Sequence, residues 1–394
     1  MQSADKSIYT LQFGLVCLSS FLFSASFNML IPELPTYLSA MGGANYKGLI
    51  IALFTLTAGI SRPFSGKLTD TIGRVPVMAV GSIVCFVCGF LYPVLTTVAG
   101  FLFLRLIHGF STGFKPTATA AYVADLVPVN RWGEAMGVHG VCFSTGLAIG
   151  PAIGSTITDH FSIDILFYCS SLFALLSIVI LSNMKETLKD KQKFSMAHLK
   201  IKRSDIIEWK VIPAALITLL SYISYGVILT VIGDWSQYLG TSNKGLFFMV
   251  FTLASLLIRF IAGKASDRYG RLLILKFSLF LLAVSLVGIG MANSSFTLMA
   301  ASAVYGVATG MLSPTANAWT IDLSDPKHRG KAMATMYIAL EVGIGAGALL
   351  AGWLFVDDIS TIPLTFFICT GITIAALAYL QYGYKSSKGI SINS

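Results

Sequence analysis

The stretch Gly66-Lys67-Leu68-Thr69-Asp70-Thr71-Ile72-Gly73-Arg74 returns as Gly263-Lys264-Ala265-Ser266-Asp267-Arg268-Tyr269-Gly270-Arg271. The spacing, 263 − 66 = 197, is half of the 394-residue chain. The same offset carries Arg62 onto Arg259, Lys47-Gly48-Leu49 onto Lys244-Gly245-Leu246, and Gly109 and Gly113 onto Gly306 and Gly310. Asp125-Leu126 falls on Asp322-Leu323, Gly133 on Gly330, and Gly146 and Gly150 on Gly343 and Gly347. The chain is therefore one unit written twice, almost without gaps, and a long internal period means repeat architecture.

Both copies sit in apolar sequence. Hydrophobic residues make up 55% and charged ones 11%, against roughly 45–50% and 25% for soluble domains. The apolar stretches reach the length of about 20 residues that a membrane span needs. Six candidates lie near 9–37, 48–66, 76–96, 99–124, 133–157 and 164–184. Six more lie near 210–234, 245–263, 272–291, 296–321, 332–356 and 361–382. The first is too long and too punctuated by polar residues for a cleaved signal peptide.

A net charge of +9 could suggest a nucleic-acid partner, but the positions of the charges argue against one. Most of the 27 Lys and Arg crowd the termini and the loops after spans 2, 4, 6, 8 and 10. Only Lys47 and Lys244 fall in the alternate loops, while Arg62, Arg105, Lys115 and Arg259 lie within spans. This is the positive-inside pattern and places both termini in the cytoplasm of a multi-pass protein of the cell (inner) membrane. The six cysteines all lie inside predicted spans and read as small apolar fillers, Cys85-x-x-Cys88 included.

The one polar interruption, 185–210, divides an N-terminal half (1–184) from a C-terminal half (211–394). Its Leu199, Ile206, Ile207 and Trp209 suit a short helix on the membrane surface as well as a solvated connector. The repeated motif falls on one side of the membrane in both copies, so each half spans an even number of times. The expected fold is an all-α membrane protein: twelve transmembrane helices in two six-helix halves related by a parallel pseudo-two-fold repeat. The seam between the halves is the expected place for a solute.

The residues at this point resemble a known family. Gly-x-Leu-x-Asp-x-x-Gly-Arg at Gly66 to Arg74 is similar to the signature loop of the major facilitator superfamily, and Arg105-x-x-x-Gly109 to its second motif. Gly146-x-x-x-Gly150-Pro151-x-x-Gly154 resembles the antiporter motif of the twelve-span drug/proton antiporters in that superfamily. The resemblance implies that Asp70 meets the start of span 11 near Gly330, and Asp267 the start of span 5 near Gly133. There the two acids would act as latches that hold the cytoplasmic side closed. It implies that the glycine face of span 5 seals against span 2. Where those antiporters carry an acid midway along span 1, this chain has Asn28, with Glu33 further out.

Physical reasoning supplies reasons for several of these residues. Gly66, one turn before Asp70, would let another helix approach closely, and a carboxylate suits a helix N-terminus. Gly146, Gly150 and Gly154 share a face, with Pro151 loosening the helix beside them. Intramembrane charges are costly and mark pathways or pairs. Glu341 is eleven residues past Gly330, about 16 Å along a helix and near the middle of the membrane core. Lys115, ten residues before Asp125, lies at similar depth, about 15 Å in by the same rise. Glu341 is the first candidate for the proton site, because its counterpart in the other half is Ser144; Lys115, Glu33 and Arg105 complete the candidate set. His108 and His139 read as packing residues.

Three functions remain open: a secondary transporter exporting a small organic compound against protons, an uptake carrier or uniporter for a metabolite, and a lipid flippase. The span 5 motif favours the first. The sequence holds no phosphate loop, metal-ligand cluster or nucleophile–base set, so no enzyme, metal or cofactor is expected. A monomer in the lipid bilayer that handles a small-molecule substrate and protons is expected. In the resembling family spans 1, 4, 7 and 10 line the cavity, which makes Asn28, Tyr222, Tyr225, Tyr305, Asn317 and Trp319 candidate substrate contacts.

Overall fold

The computed structural model describes residues 9–128, 131–200, 207–324, 329–355 and 358–384. The helices in chain order are α1 (Leu11–Asn28), α2 (Leu34–Ala40), α3 (Lys47–Thr71), α4 (Arg74–Leu91), α5 (Val98–Leu126), α6 (Trp132–His160) and α7 (Ile163–Ser182). They are followed by α8 (Ile212–Tyr238), α9 (Leu246–Tyr269), α10 (Arg271–Gly290), α11 (Ser295–Leu323), α12 (Arg329–Phe355) and α13 (Ile362–Ala378). No strand occurs among the described residues.

Among the described residues, ten helices are long and apolar enough to cross a membrane, and eleven if the bent pair Leu246–Arg259 and Ile261–Tyr269 is one span. The predicted span 99–124 is the 29-residue helix α5, which carries Arg105, His108 and Lys115 and falls outside that set. The first predicted span breaks at its two prolines: α1 stops at Asn28, and α2 begins at Leu34 with Pro35 in its first turn. A proline fixes φ and lacks the N–H of a continuing helix, so it belongs at a helix start. Thr10, Thr97, Ser162 and Ser294 cap α1, α5, α7 and α11, each hydroxyl accepting a first-turn N–H.

The chain forms two compact units, residues 1–31 with 57–202 and residues 32–56 with 203–394. Contacts of the first unit recur 197 residues on in the second. Arg74 Nε meets Asp125 at 3.0 Å and Arg271 Nε meets Asp322 at 3.0 Å. A Cβ added at Gly113 would strike Ser61 and the Ala58 carbonyl; one at Gly310 would strike Ile258 and the Ser255 carbonyl. Val80, Ile83 and Val87 on α4 are exposed, as are Phe277, Phe280 and Val284 on α10. Such apolar stripes face lipid in a membrane helix.

Small residues set the tightest packing. Gly146, Gly150 and Gly154 on α6 all meet α1, at Phe21 and Ala25, at Ala25, and at the Met29 carbonyl. The face expected to seal against the second span therefore packs on the first. Its neighbours are the backbone of α1, which only a missing side chain admits. Gly343 and Gly347 on α12 sit likewise on the Leu219 and Ile223 carbonyls of α8. Gly154→Ala and Gly347→Ala should each lower stability by about 1–3 kcal/mol, since a methyl has no room beside a carbonyl that cannot move. Gly150→Ala, whose nearest neighbour is at 3.0 Å, should cost less; thermal unfolding of the three purified variants checks the order.

Candidate functional site

In the loop motif, the glycines before α4 and α10 have φ of 136° at Gly73 and 90° at Gly270, a region side chains avoid. That turn brings each arginine back onto the preceding helix. Arg74 Nη1 reaches Asp70 at 3.2 Å and the Thr69 carbonyl at 2.6 Å, while Arg271 Nη1 bonds Asp267 and Ser266. Asp70 and Asp267 remain 73% and 68% exposed. The helix starts near Gly330 and Gly133, their expected partners, fall where side chains lie outside the described residues. Among the described residues, a Cβ at Gly66 or Gly263 would meet nothing within 4 Å, whereas one at Gly154 or Gly347 would strike a carbonyl.

The sequence reading passed over a third partner of this loop. Glu186, just beyond α7, accepts the backbone N–H of Arg74 and of Val75 at 3.0 Å each, and of Thr187 and Leu188 at 2.9 Å each. It supplies the cap that Gly73 cannot, at the positive end of the α4 dipole. The linker continues across the same face: Thr187 Oγ1 donates to Asp125 at 2.6 Å, Gln192 N to the Thr71 carbonyl, and Lys67 Nζ to the Lys200 carbonyl. Met196–Leu199 forms one 3₁₀ turn, and Ile206 of the suggested surface helix lies outside the described residues. Glu186→Ala should cost about 1–3 kcal/mol, the penalty for orphaned donors at a partly wet site; denaturant unfolding of the purified protein measures it.

The buried charges of the first unit lie on α5. Arg105, 2% exposed, donates from Nη1 to Tyr92 Oη at 3.4 Å. Tyr92 Oη lies 3.1 Å from His108 Nδ1, and His108 Nε2 3.2 Å from Cys85 Sγ. Lys115, 1% exposed, donates to Ser19 Oγ at 2.8 Å, to the Ser19 carbonyl at 3.2 Å, to Ser82 Oγ at 3.0 Å and to Ser177 Oγ. Its ammonium also stands 4.9 Å from the centre of the Phe23 ring. Asn28, a candidate substrate contact, is buried and turns back on its own helix, donating to the Ser24 carbonyl at 2.8 Å.

In the second unit Glu341 is buried on α12 at 8% exposure. Tyr337, one turn earlier on the same face, lies within electrostatic reach of Tyr222, whose hydroxyl bonds Ser313 and also faces Arg259. Tyr222 and Tyr225 pack edge to face at 6.2 Å, and Phe251 joins Tyr225 to Tyr305 at 6.0 and 5.6 Å. Three candidate substrate residues thus form one aromatic run. Trp319 is separate, packed on Tyr384, and Asn317 is half-buried, about three turns beyond Tyr305 on α11.

At the starts of α3 and α9 stand the two lysines that broke the charge pattern. Lys47 Nζ lies 3.1 Å from Asp234 Oδ2 and 4.6 Å from the Phe355 ring centre. Lys244 Nζ lies 3.3 Å from Glu33 Oε2 and 3.0 Å from Thr36 Oγ1. Side-chain exposures of 4% and 16% in the first pair, and 12% and 5% in the second, make both largely buried. Together they tie residues 32–56 to α8 and the start of α9. Gly48 reinforces the tie, set against the Ala348 carbonyl and Gly352 of α12. The offset relating Lys47 to Lys244 was legible, but their partners were not, since Asp234 and Glu33 are not offset mates.

The family model described as Major Facilitator Superfamily matches residues 16–213 and again 214–390. An uncharacterized MFS-type transporter of Methanocaldococcus jannaschii is 24% identical over 90% of this chain and 92% of its own. The multidrug resistance protein MdtG of Serratia proteamaculans is 28% identical over 75% of each chain. The quinolone resistance protein NorA of Staphylococcus aureus is 23% identical over 89% of this chain and 90% of its own. Among solved structures, a D-xylose–proton symporter has a TM-score of 0.78 at 14% identity over 94% of this chain and 96% of its own. The human organic anion transporter MFSD10 has a TM-score of 0.72 at 20% identity over 93% and 98%. These likenesses to structures carry the fold.

Proposed function

This chain belongs to the Major Facilitator Superfamily, and from that membership we propose that it exports a small organic compound in exchange for protons by alternating access. It is a transporter and not an enzyme. The observation that carries export over uptake is the likeness, across three quarters or more of the chain, to proteins named for multidrug and quinolone resistance. The resemblance of Gly146-x-x-x-Gly150-Pro151-x-x-Gly154 to the antiporter motif supports the same reading.

In this reading the protein is a monomer in the cell membrane, twelve helices in two six-helix halves related by a parallel pseudo-two-fold repeat, with both termini cytoplasmic. Asp70 and Asp267, with Gly66, Gly73, Arg74, Gly263, Gly270 and Arg271, form the cytoplasmic latches. The Lys47–Asp234 and Lys244–Glu33 pairs then stand at the outer ends. Glu341 is the acid that loads and releases the proton, and Tyr222, Tyr225 and Tyr305 offer a semi-polar ligand amphipathic surface.

Purified protein in proteoliposomes, with lumenal pH recorded while drugs and metabolites are supplied, tests the reading. An imposed proton gradient should drive substrate in the direction opposite to the protons, against its own gradient. Substrate flux without proton movement would sink the coupling, and flux in the protons' own direction would make the protein a symporter.

A further inference from the structure

We propose that Lys115 and the three serines around it form a second protonation site, inside the first unit, at which the lysine passes between ammonium and neutral amine during transport. The inference deepens the proton-coupled reading and rests on it for its role in transport. The site itself stands on two observations.

The first is the chemistry of the cage. A buried ammonium is ordinarily held by a carboxylate, because an unpaired charge away from water is expensive. Among the described residues Lys115 instead meets only the Ser19 carbonyl, the hydroxyls of Ser19, Ser82 and Ser177, and the Phe23 ring. A carboxylate would lock the charged form. Hydroxyls both donate and accept, so they serve either form. With the ammonium present they accept, and Ser177 Oγ donates onward to the Ser19 carbonyl at 3.1 Å. When a proton leaves Nζ, one hydroxyl turns and donates to the nitrogen lone pair, and no charge stays behind.

The second is the other copy, which acts as an internal control. The buried positions of α11 follow those of α5 at 197 residues, which sets Leu312 on Lys115, and those of α10 follow α4, which sets Leu279 on Ser82. The buried run Ile217, Thr218, Ser221, Ile223, Ser224 of α8 follows Ser19, Ser20, Phe23, Ala25, Ser26 of α1, setting Ile217 on Ser19. The run Thr365, Phe366, Cys369, Thr370, Thr373, Ala376 of α13 follows Leu166, Phe167, Ser170, Ser171, Ala174, Ser177 of α7, setting Ala376 on Ser177. All four cage residues thus become apolar together, and Ile217, Leu279, Leu312 and Ala376 are each at most 1% exposed. The architecture closes here with a plain hydrocarbon core, so packing does not require the lysine.

Other ionisable groups surround the site. Cys85 of α4 acts on Lys115 electrostatically, and Lys115 acts on His139 of α6, which bonds Ser20 at 2.9 Å. Arg105 and His108 stand on α5 itself, while α1 and α7 bring hydroxyls and the Phe23 ring. Ser111, one turn before Lys115, has a buried Oγ without a partner among the described residues. That hydroxyl lies between His108 and Lys115 along α5.

The test transplants the second copy's packing: Ser19→Ile, Ser82→Leu, Lys115→Leu and Ser177→Ala together, with Lys115→Arg alone as a fixed-charge control. The first measurement needs no substrate. Potentiometric difference titration of wild type against the four-fold variant in detergent, across the neutral range, should show one proton fewer bound and released by the variant. A flat difference would mean that Lys115 never deprotonates, and would overturn the proposal whatever the transport direction. The second measurement is the number of protons exchanged per substrate. It should fall in both variants while thermal stability is kept by the four-fold variant; an unchanged ratio would equally overturn the proposal. Wild type that moves no protons yet shows the titration step would count against the exporter reading alone.

Discussion

Glu341→Gln should abolish uphill export while leaving downhill exchange of the same compound intact. Glu341 is 8% exposed on α12, one turn after Tyr337 on the same face. Glutamine keeps the shape and hydrogen-bonding reach of the protonated acid but cannot release a proton. The variant is therefore fixed in the proton-loaded form, and a gradient has nothing to act on. Uphill flux should drop to the leak level, a loss of at least about tenfold if the acid contributes only one pH unit of driving force. Counterflow, in which labelled substrate exchanges against unlabelled, should persist. Uphill transport with a normal pH dependence in this variant would remove Glu341 from the mechanism and leave Glu33 and Arg105 as the next acid and base to replace.

The second large effect is expected where residues 32–56 meet α8. Neutralising Glu33 and Asp234 together (Glu33→Gln, Asp234→Asn) removes both lysine–carboxylate pairs, at 3.3 and 3.1 Å, while their bulk is kept. Breaking a buried pair from one side costs about 3–5 kcal/mol, because a charge is left in a poor medium. That free energy now favours any arrangement in which the lysines regain water. A cysteine at Thr55, buried against Gly345, reports the change on a background without the native thiols. Its labelling by a membrane-impermeant maleimide should rise at least about tenfold, which corresponds to about 1.4 kcal/mol of lost closure. Labelling that stays at the parent level would show that glycine packing, Gly48 on α12 above all, holds this end without the charges.

Much of the helical order was legible in the sequence, because apolar runs of spanning length and a nearly constant internal offset leave few alternatives. The break in the first span was legible too, from Pro32 and Pro35. Partners were harder. The offset singled out Lys47 and Lys244, yet a repeat reports equivalent positions and not contacts, and the acids they meet come from helices at unequal offsets. Resemblance pointed the glycine face of α6 at the second span, while the backbone of α1 fills it. Glu186 left no trace, since it stands in a polar linker where one acid among many lysines looks like a solvated charge. The serines around Lys115 were equally silent: each is an ordinary membrane-helix serine until the four helices come together.

Glu186 and the strap that follows it bear on the order in which the protein is made. The start of α4 and the Arg74–Asp125 cluster gain their last ligands from residues 186 and 187, and Lys200 closes on Lys67. A ribosome must therefore extend the chain about a hundred residues beyond α4 before that corner of the first unit is complete. Until then the positive end of α4 is open to whatever anion or chaperone is at hand. A gene split for expression as two fragments should be cut beyond Lys202, so that the strap travels with the helices it finishes.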